Sequence, residues 1–152
     1  MCKGVKEYFT DKEFENKFNT FIIKDSKKKM LLGKMLKNQN TNNGLGSGIG
    51  NYLAPEILYH AKLSPLRSLT KKEIHTLSHS IKYIIKLAYY YNNFYFEQNI
   101  KKYNYHPDII LKSKSFKFNV YQQKEDKFNN KVIIDKTIEK NRSFYWCPAI
   151  QV

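Results

Sequence analysis

Gly48-Ile49-Gly50-Asn51-Tyr52-Leu53-Ala54-Pro55-Glu56-Ile57-Leu58-Tyr59 is the stretch whose reading decides the fold. Four of the six glycines stand at Gly44, Gly46, Gly48 and Gly50, just after residues 38–43, where helical periodicity stops. Past Asn51, Leu53, Ile57, Leu58 and Ala61 recur at helical spacing and end before Ser64-Pro65. A glycine turn therefore opens directly onto a helix. Glycines let the backbone approach a ligand closely, and a helix start offers free N–H groups and a positive dipole end. Asn51 either meets an anion such as phosphate there or simply caps the helix, and spacing alone leaves both readings open.

Working outward, Thr70 and Glu73 have capping-box spacing, and Ile74, Leu77, Ile81, Ile84, Ile85 and Ala88 carry a helix on toward Tyr89-Tyr90-Tyr91. Upstream, Ser26 can cap an amphipathic helix with Met30, Leu31, Met35 and Leu36 on its apolar side and Lys27, Lys28, Lys29, Lys34 and Lys37 around it. Thr10 with Glu13, followed by Phe14, Phe18 and Phe21, predicts a shorter helix from about Asp11. Residues 92–115 lack a clear period. From Phe116 the period becomes two: Phe116, Phe118 and Val120 read as a strand, residues 132–138 as another, residues 139–141 as a hairpin turn, and residues 143–147 as the returning strand. Arg142 then stands at or near the hairpin tip. The expected fold is mainly α with a small C-terminal β part: a helical domain over 7–100, a linker over 101–115 and a β-hairpin unit over 116–152.

The chain has 152 residues, with 27 Lys and Arg against 13 Asp and Glu, a net charge of +14 that calls for a polyanionic partner. Nucleic acid is the first candidate; a ribosomal or membrane-surface protein shows the same balance. With 12 Tyr and 10 Phe the chain can bury a core, which excludes a disordered basic tail. Lys, Asn, Ile and Tyr are common enough to reflect an AT-rich coding sequence, so position has to carry the argument. Cys2 and Cys147 make no disulfide framework, nothing near Met1 reads as a signal peptide, and no apolar run approaches the roughly 20 residues that span a bilayer. The expectation is a soluble intracellular protein without a membrane partner.

The opening stretch, continued by Ala61-Lys62-Leu63-Ser64-Pro65, resembles the helix-two-turn-helix signature of the Fpg/Nei family of DNA glycosylase/AP lyases. The resemblance implies that Asn51, with Gly48 and Gly50, holds a DNA phosphate next to a lesion. Leu36-Lys37-Asn38-Gln39 is similar to the family's preceding helix end, which makes Gln39 a further DNA-binding candidate, although Asn40 stands where a Lys often follows. The stretch from Arg142 through Ser143-Phe144-Tyr145-Trp146-Cys147-Pro148-Ala149-Ile150 to Gln151 is similar to the family's terminal finger. Arg142 matches the hairpin Arg that enters the duplex where the damaged base is everted and contributes to elimination, a catalytic as well as a binding role.

Zinc-holding relatives supply a tetrahedral Cys set. Here Cys147 has Ile150 in its partner's place, and residues 122–130 contain no Cys. The chain looks like the zincless-finger, endonuclease VIII-like branch found in animals, plants and giant viruses, with no zinc and no cofactor. Val132, Ile134, Trp146 and Ile150 are expected to supply the packing instead.

The family's reacting amine is an N-terminal proline followed by Glu, whereas this sequence opens Met1-Cys2-Lys3 and matches only the second half, over 7–152. The expectation is a base-excision-repair module that grips damaged or abasic DNA and lacks turnover by itself. Three explanations stay open: a split or truncated member whose partner is a separately encoded catalytic half, a DNA-binding remnant, or a start codon placed too late. Glu56 has no neighbouring carboxylate and reads as a packing residue. His75 and His79 share a helix face, but Thr76 replaces the Glu of a zinc-protease motif, so they read as surface or groove-lining residues. The alternative from another class is a ribosomal-like structural RNA binder built on the same helix-two-turn-helix.

Overall fold

The apolar stripe that starts at Ile74 builds the longest helix among the described residues and one wall of the core. The structure is a computed structural model and describes residue 16 and residues 31–37, 49, 52–68, 70–92, 108–113, 115–139 and 142–152. Among them run α1 (Leu32–Lys37), α2 (Leu53–Ala61), a 3-10 turn (Lys71–Glu73), α3 (Ile74–Asn92), β1 (Ile133–Glu139) and β2 (Arg142–Trp146). Of the helix expected from Asp11, only Asn16 is described, and it is helical. Gln39, Gly48, Gly50 and Asn51 lie outside the described residues.

Each helix carries its own start and stop. Pro55 sits in the first turn of α2, where an amide would have no intrahelical partner in any case. At the other end Lys62 turns left-handed (φ 60°), and the Lys62 and Leu63 amides donate to the Tyr59 and Leu58 carbonyls at 3.1 and 3.0 Å. The capping box forms before α3: Glu73 accepts from the Thr70 amide at 3.0 Å and from its hydroxyl, and also pairs with Arg67. The first amides of α1 are satisfied from outside, Leu32 by the Arg67 carbonyl at 2.8 Å and Gly33 by that of Pro65 at 3.0 Å.

Leu32, Leu36, Ile57, Leu58, Leu77 and Ile81 are inaccessible to solvent, and Ile138 and Phe144 from the hairpin join the same core. Each such burial contributes roughly 1.5–3 kcal/mol. A second, smaller cluster holds Tyr59, Val120, Val132 and Cys147, with Tyr145 and Ile150 against it. Val132 and Ile150 thus pack as expected. Ile134 does not, being 53% exposed, and Trp146 is half-buried and belongs to neither cluster, whereas Tyr59 from α2 is part of the second one.

β1 and β2 pair antiparallel, Ile133 with Trp146, Ile134 with Tyr145, Asp135 with Phe144 and Glu139 with Arg142. The register slips between Asp135 and Glu139, where Asp135 accepts from the Thr137 amide at 2.7 Å and its hydroxyl at 2.6 Å. The strand expected over residues 116–121 is absent. Its amides are taken by a carboxylate rather than a neighbouring strand: Glu56 accepts from Asn119 at 2.7 Å and from Val120 and Tyr121 at 2.9 Å each. In the stretch read as a linker, the described residues pack on α3. Lys82 pairs with Asp108 at 3.1 Å, Lys86 donates to the Ile109 carbonyl at 2.7 Å, and the Lys112 amide donates to the Tyr83 hydroxyl at 3.2 Å.

Candidate nucleic-acid interface

Arg142 opens β2 with its side chain 60% exposed. The hairpin can present it outward because two of its inward residues, Ile138 and Phe144, are clamped against α1. A Cβ on Gly33 would come within 2.9 Å of the Pro65 Cβ, 3.0 Å of the Phe144 ring and 3.3 Å of the Ile138 side chain, so only glycine permits this approach.

A brace absent from the sequence reading stands behind Arg142. Its Nε lies 3.8 Å from Glu139 Oε2, and the same oxygen lies 3.4 Å from Lys37 Nζ, a side chain only 4% exposed that also sits over the Phe144 ring at 5.3 Å. Lys37 ends α1, two positions before Gln39. One carboxylate therefore joins the chain segment leading to Gln39 to the strand carrying Arg142. Glu139 three residues ahead of Arg142 was the signal available in the sequence.

Ile49, between Gly48 and Gly50 in the sequence, is 1% exposed. Tyr52, next to Asn51, is 42% exposed and makes edge-to-face contacts with Phe118 and Tyr121 at 6.1 and 6.4 Å.

Buried polar groups hold the helical and hairpin parts together. Burial pushes the Glu56 pKa up, against the pull of the Tyr121, Asn119 and Val120 amides and the Asn119 side chain. The Asp126 carboxylate accepts from Tyr59 Oη at 2.9 Å, from the Phe128 and Asn130 amides at 2.9 and 2.8 Å, and from Asn130 Nδ2 at 3.2 Å, with Cys147 Sγ 3.8 Å away. Burial pushes the Asp126 pKa up, but these donors outweigh it and hold the carboxyl below its ordinary value. The thiol of Cys147 is pushed up, chiefly by burial, and stays protonated. A hydrogen-bonded carboxylate thus stands beside Cys147. Among the described residues, no group of three or more His, Cys, Asp and Glu side chains could hold a metal ion. His75 and His79 are both exposed; His79 lies 6.2 Å from the rings of His60 and Tyr83.

Residues 107–152 match the family described as Formamidopyrimidine-DNA glycosylase C-terminal domain. The chain is 32% identical over 108 residues to an Endonuclease 8 from Pectobacterium carotovorum, a match covering 69% of this chain and 37% of that protein. It is 41% identical over 66 residues to a Formamidopyrimidine-DNA glycosylase of Arabidopsis thaliana, covering 41% of this chain and 16% of that protein. In fold it matches the crystal structure of a viral DNA glycosylase with a TM-score of 0.68 at 23% identity, over 96% of this chain and 48% of the other. Lactococcus lactis FPG in complex with FAPY-dG-containing DNA matches with a TM-score of 0.58 at 20% identity, over 94% and 47% of the two chains. The chain thus spans little more than a third of the Pectobacterium relative and about half of these structures.

Proposed function

This chain carries a C-terminal region of the Fpg/Nei family of DNA glycosylases, and from that premise we propose that it grips damaged or abasic DNA in base excision repair. The helix-two-turn-helix unit holds the backbone through Asn51, Gly48, Gly50 and Gln39, while Arg142 fills the space left by an everted base. The single observation supporting this reading is Arg142, exposed on a hairpin whose inner side chains are buried in the core that also receives α2. Glycosylase and lyase chemistry is proposed to need a catalytic N-terminal half, in the same or a separate chain, that supplies the reacting amine. Such work requires access to the genome, in cytoplasm or nucleus.

Fluorescence anisotropy on abasic duplex, intact duplex and structured RNA tests the reading. Arg142→Ala is expected to weaken abasic-duplex binding roughly tenfold, about 1.4 kcal/mol, and intact-duplex binding much less. Asn51→Ala should weaken both duplexes alike, because phosphate contacts position without specifying. All binding should fall steeply with salt. Equal affinity for structured RNA, or an Arg142→Ala effect that ignores the lesion, would overturn the proposal.

A further inference from the structure

The end of α2 remote from Tyr52 borders a groove of about 890 Å³ that opens between α2, α3 and residues 112–128. From α2 the groove is lined by Tyr59 and His60, near its C-terminal end, while Phe118 and Asn119 of its wall reach back to Tyr52 and Glu56. Lys62, Lys112, Lys117 and Lys127 line it, and none of them has an ion-pair partner among the described residues. Against these cations stand Glu125 and Asp126, the latter with both oxygens already engaged by Tyr59, Phe128 and Asn130.

Aromatic faces stand among the charges. Phe128 is 64% exposed, with Lys127 Nζ 5.4 Å from its ring centre. His60 is exposed, stacks on Tyr83 at 4.6 Å and 14°, and bonds Ser80 Oγ through Nδ1 at 2.8 Å. Its pKa is brought down to about 4, by desolvation first and then by His79, Lys127, Lys112 and Lys62. The same lysines that line the groove therefore converge electrostatically on His60, and the ring stays neutral and able to stack.

A bare anion would leave Phe128 unused, and an apolar ligand would leave the lysines unused. We propose that this groove is a second site, which takes a nucleotide with its phosphate among Lys62, Lys112 and Lys127 and its base against Phe128 or His60. The site does not depend on the Arg142 reading.

Titrating the full chain with dAMP, inorganic phosphate and deoxyadenosine, followed by amide NMR, tests it. Saturable dAMP shifts at residues 112–128, absent at the same phosphate or deoxyadenosine concentrations, are expected. The double substitution Lys112→Glu with Lys127→Glu should lower dAMP affinity at least about tenfold, since phosphate binding is chiefly electrostatic. Phe128→Ala should lower it about fivefold or more. An abasic duplex with a single-stranded tail identifies the source. A tail-dependent gain lost in the double variant supports a strand as the ligand; saturation by dAMP without such a gain supports a free nucleotide. Phosphate matching dAMP, shifts confined elsewhere, or a correctly folded double variant that binds as tightly as the parent would each overturn the proposal.

Discussion

Asp126 shows what a single buried carboxylate does between α2 and the C-terminal residues. Both oxygens accept only donated hydrogens, from Tyr59, Phe128 and Asn130, so replacing one oxygen by an amide sets donor against donor. Asp126→Asn should cost about 2 kcal/mol at neutral pH. The pH dependence follows from the depressed pKa. The unfolded chain takes up the proton first, so the stabilisation is whole above the unfolded value of about 3.9 and is lost as pH falls through the lower folded one. Urea midpoints measured from neutral pH down to about 2.5 should therefore fall less steeply in the acid for the Asn variant than for the parent. Parallel acid limbs would remove Asp126 from this role.

Between elements, the tightest join is α1 against the hairpin at Gly33. Gly33→Ala adds helix propensity worth about 1 kcal/mol, yet its Cβ meets Pro65, a ring with no rotamer to yield. Overpacking of this kind costs about 1–3 kcal/mol, so the variant is expected to melt earlier, and a raised Tm would show that α1 slides. The elements themselves were largely legible from local spacing: the stripe of α3, the Thr70 and Glu73 box, the stop of α2 before Ser64, and the hairpin around Arg142. The strand read from Phe116, Phe118 and Val120 failed because the acceptor for its amides is Glu56, 63 to 65 residues away, which no local pattern reveals. Lys82 and Lys86 mislead in the same way. By residue type they belong outside, but they are 1% and 6% exposed because residues 108–109 meet them. The place of Arg142 at the start of the returning strand could be read from the strand pattern around it. The Lys37–Glu139 brace could not, since it depends on where α1 comes to rest.

Across the whole molecule, the net charge of +14 favours a polyanionic partner, and one core joins α1, α2 and α3 to the hairpin. The Glu56 contact also has a consequence in time. Contacts within and between α2 and α3 close short loops, whereas seating residues 119–121 on Glu56 closes a span of more than sixty residues. Helix pairing should come early and hairpin docking late. A loss of about 2 kcal/mol in Glu56→Gln should therefore appear as roughly thirtyfold faster unfolding with refolding almost unchanged, read from the two arms of a urea chevron. A slowed refolding arm would instead put the docking before the barrier. By this account Glu56 sets how long the folded protein survives, while leaving how quickly it forms to the helices.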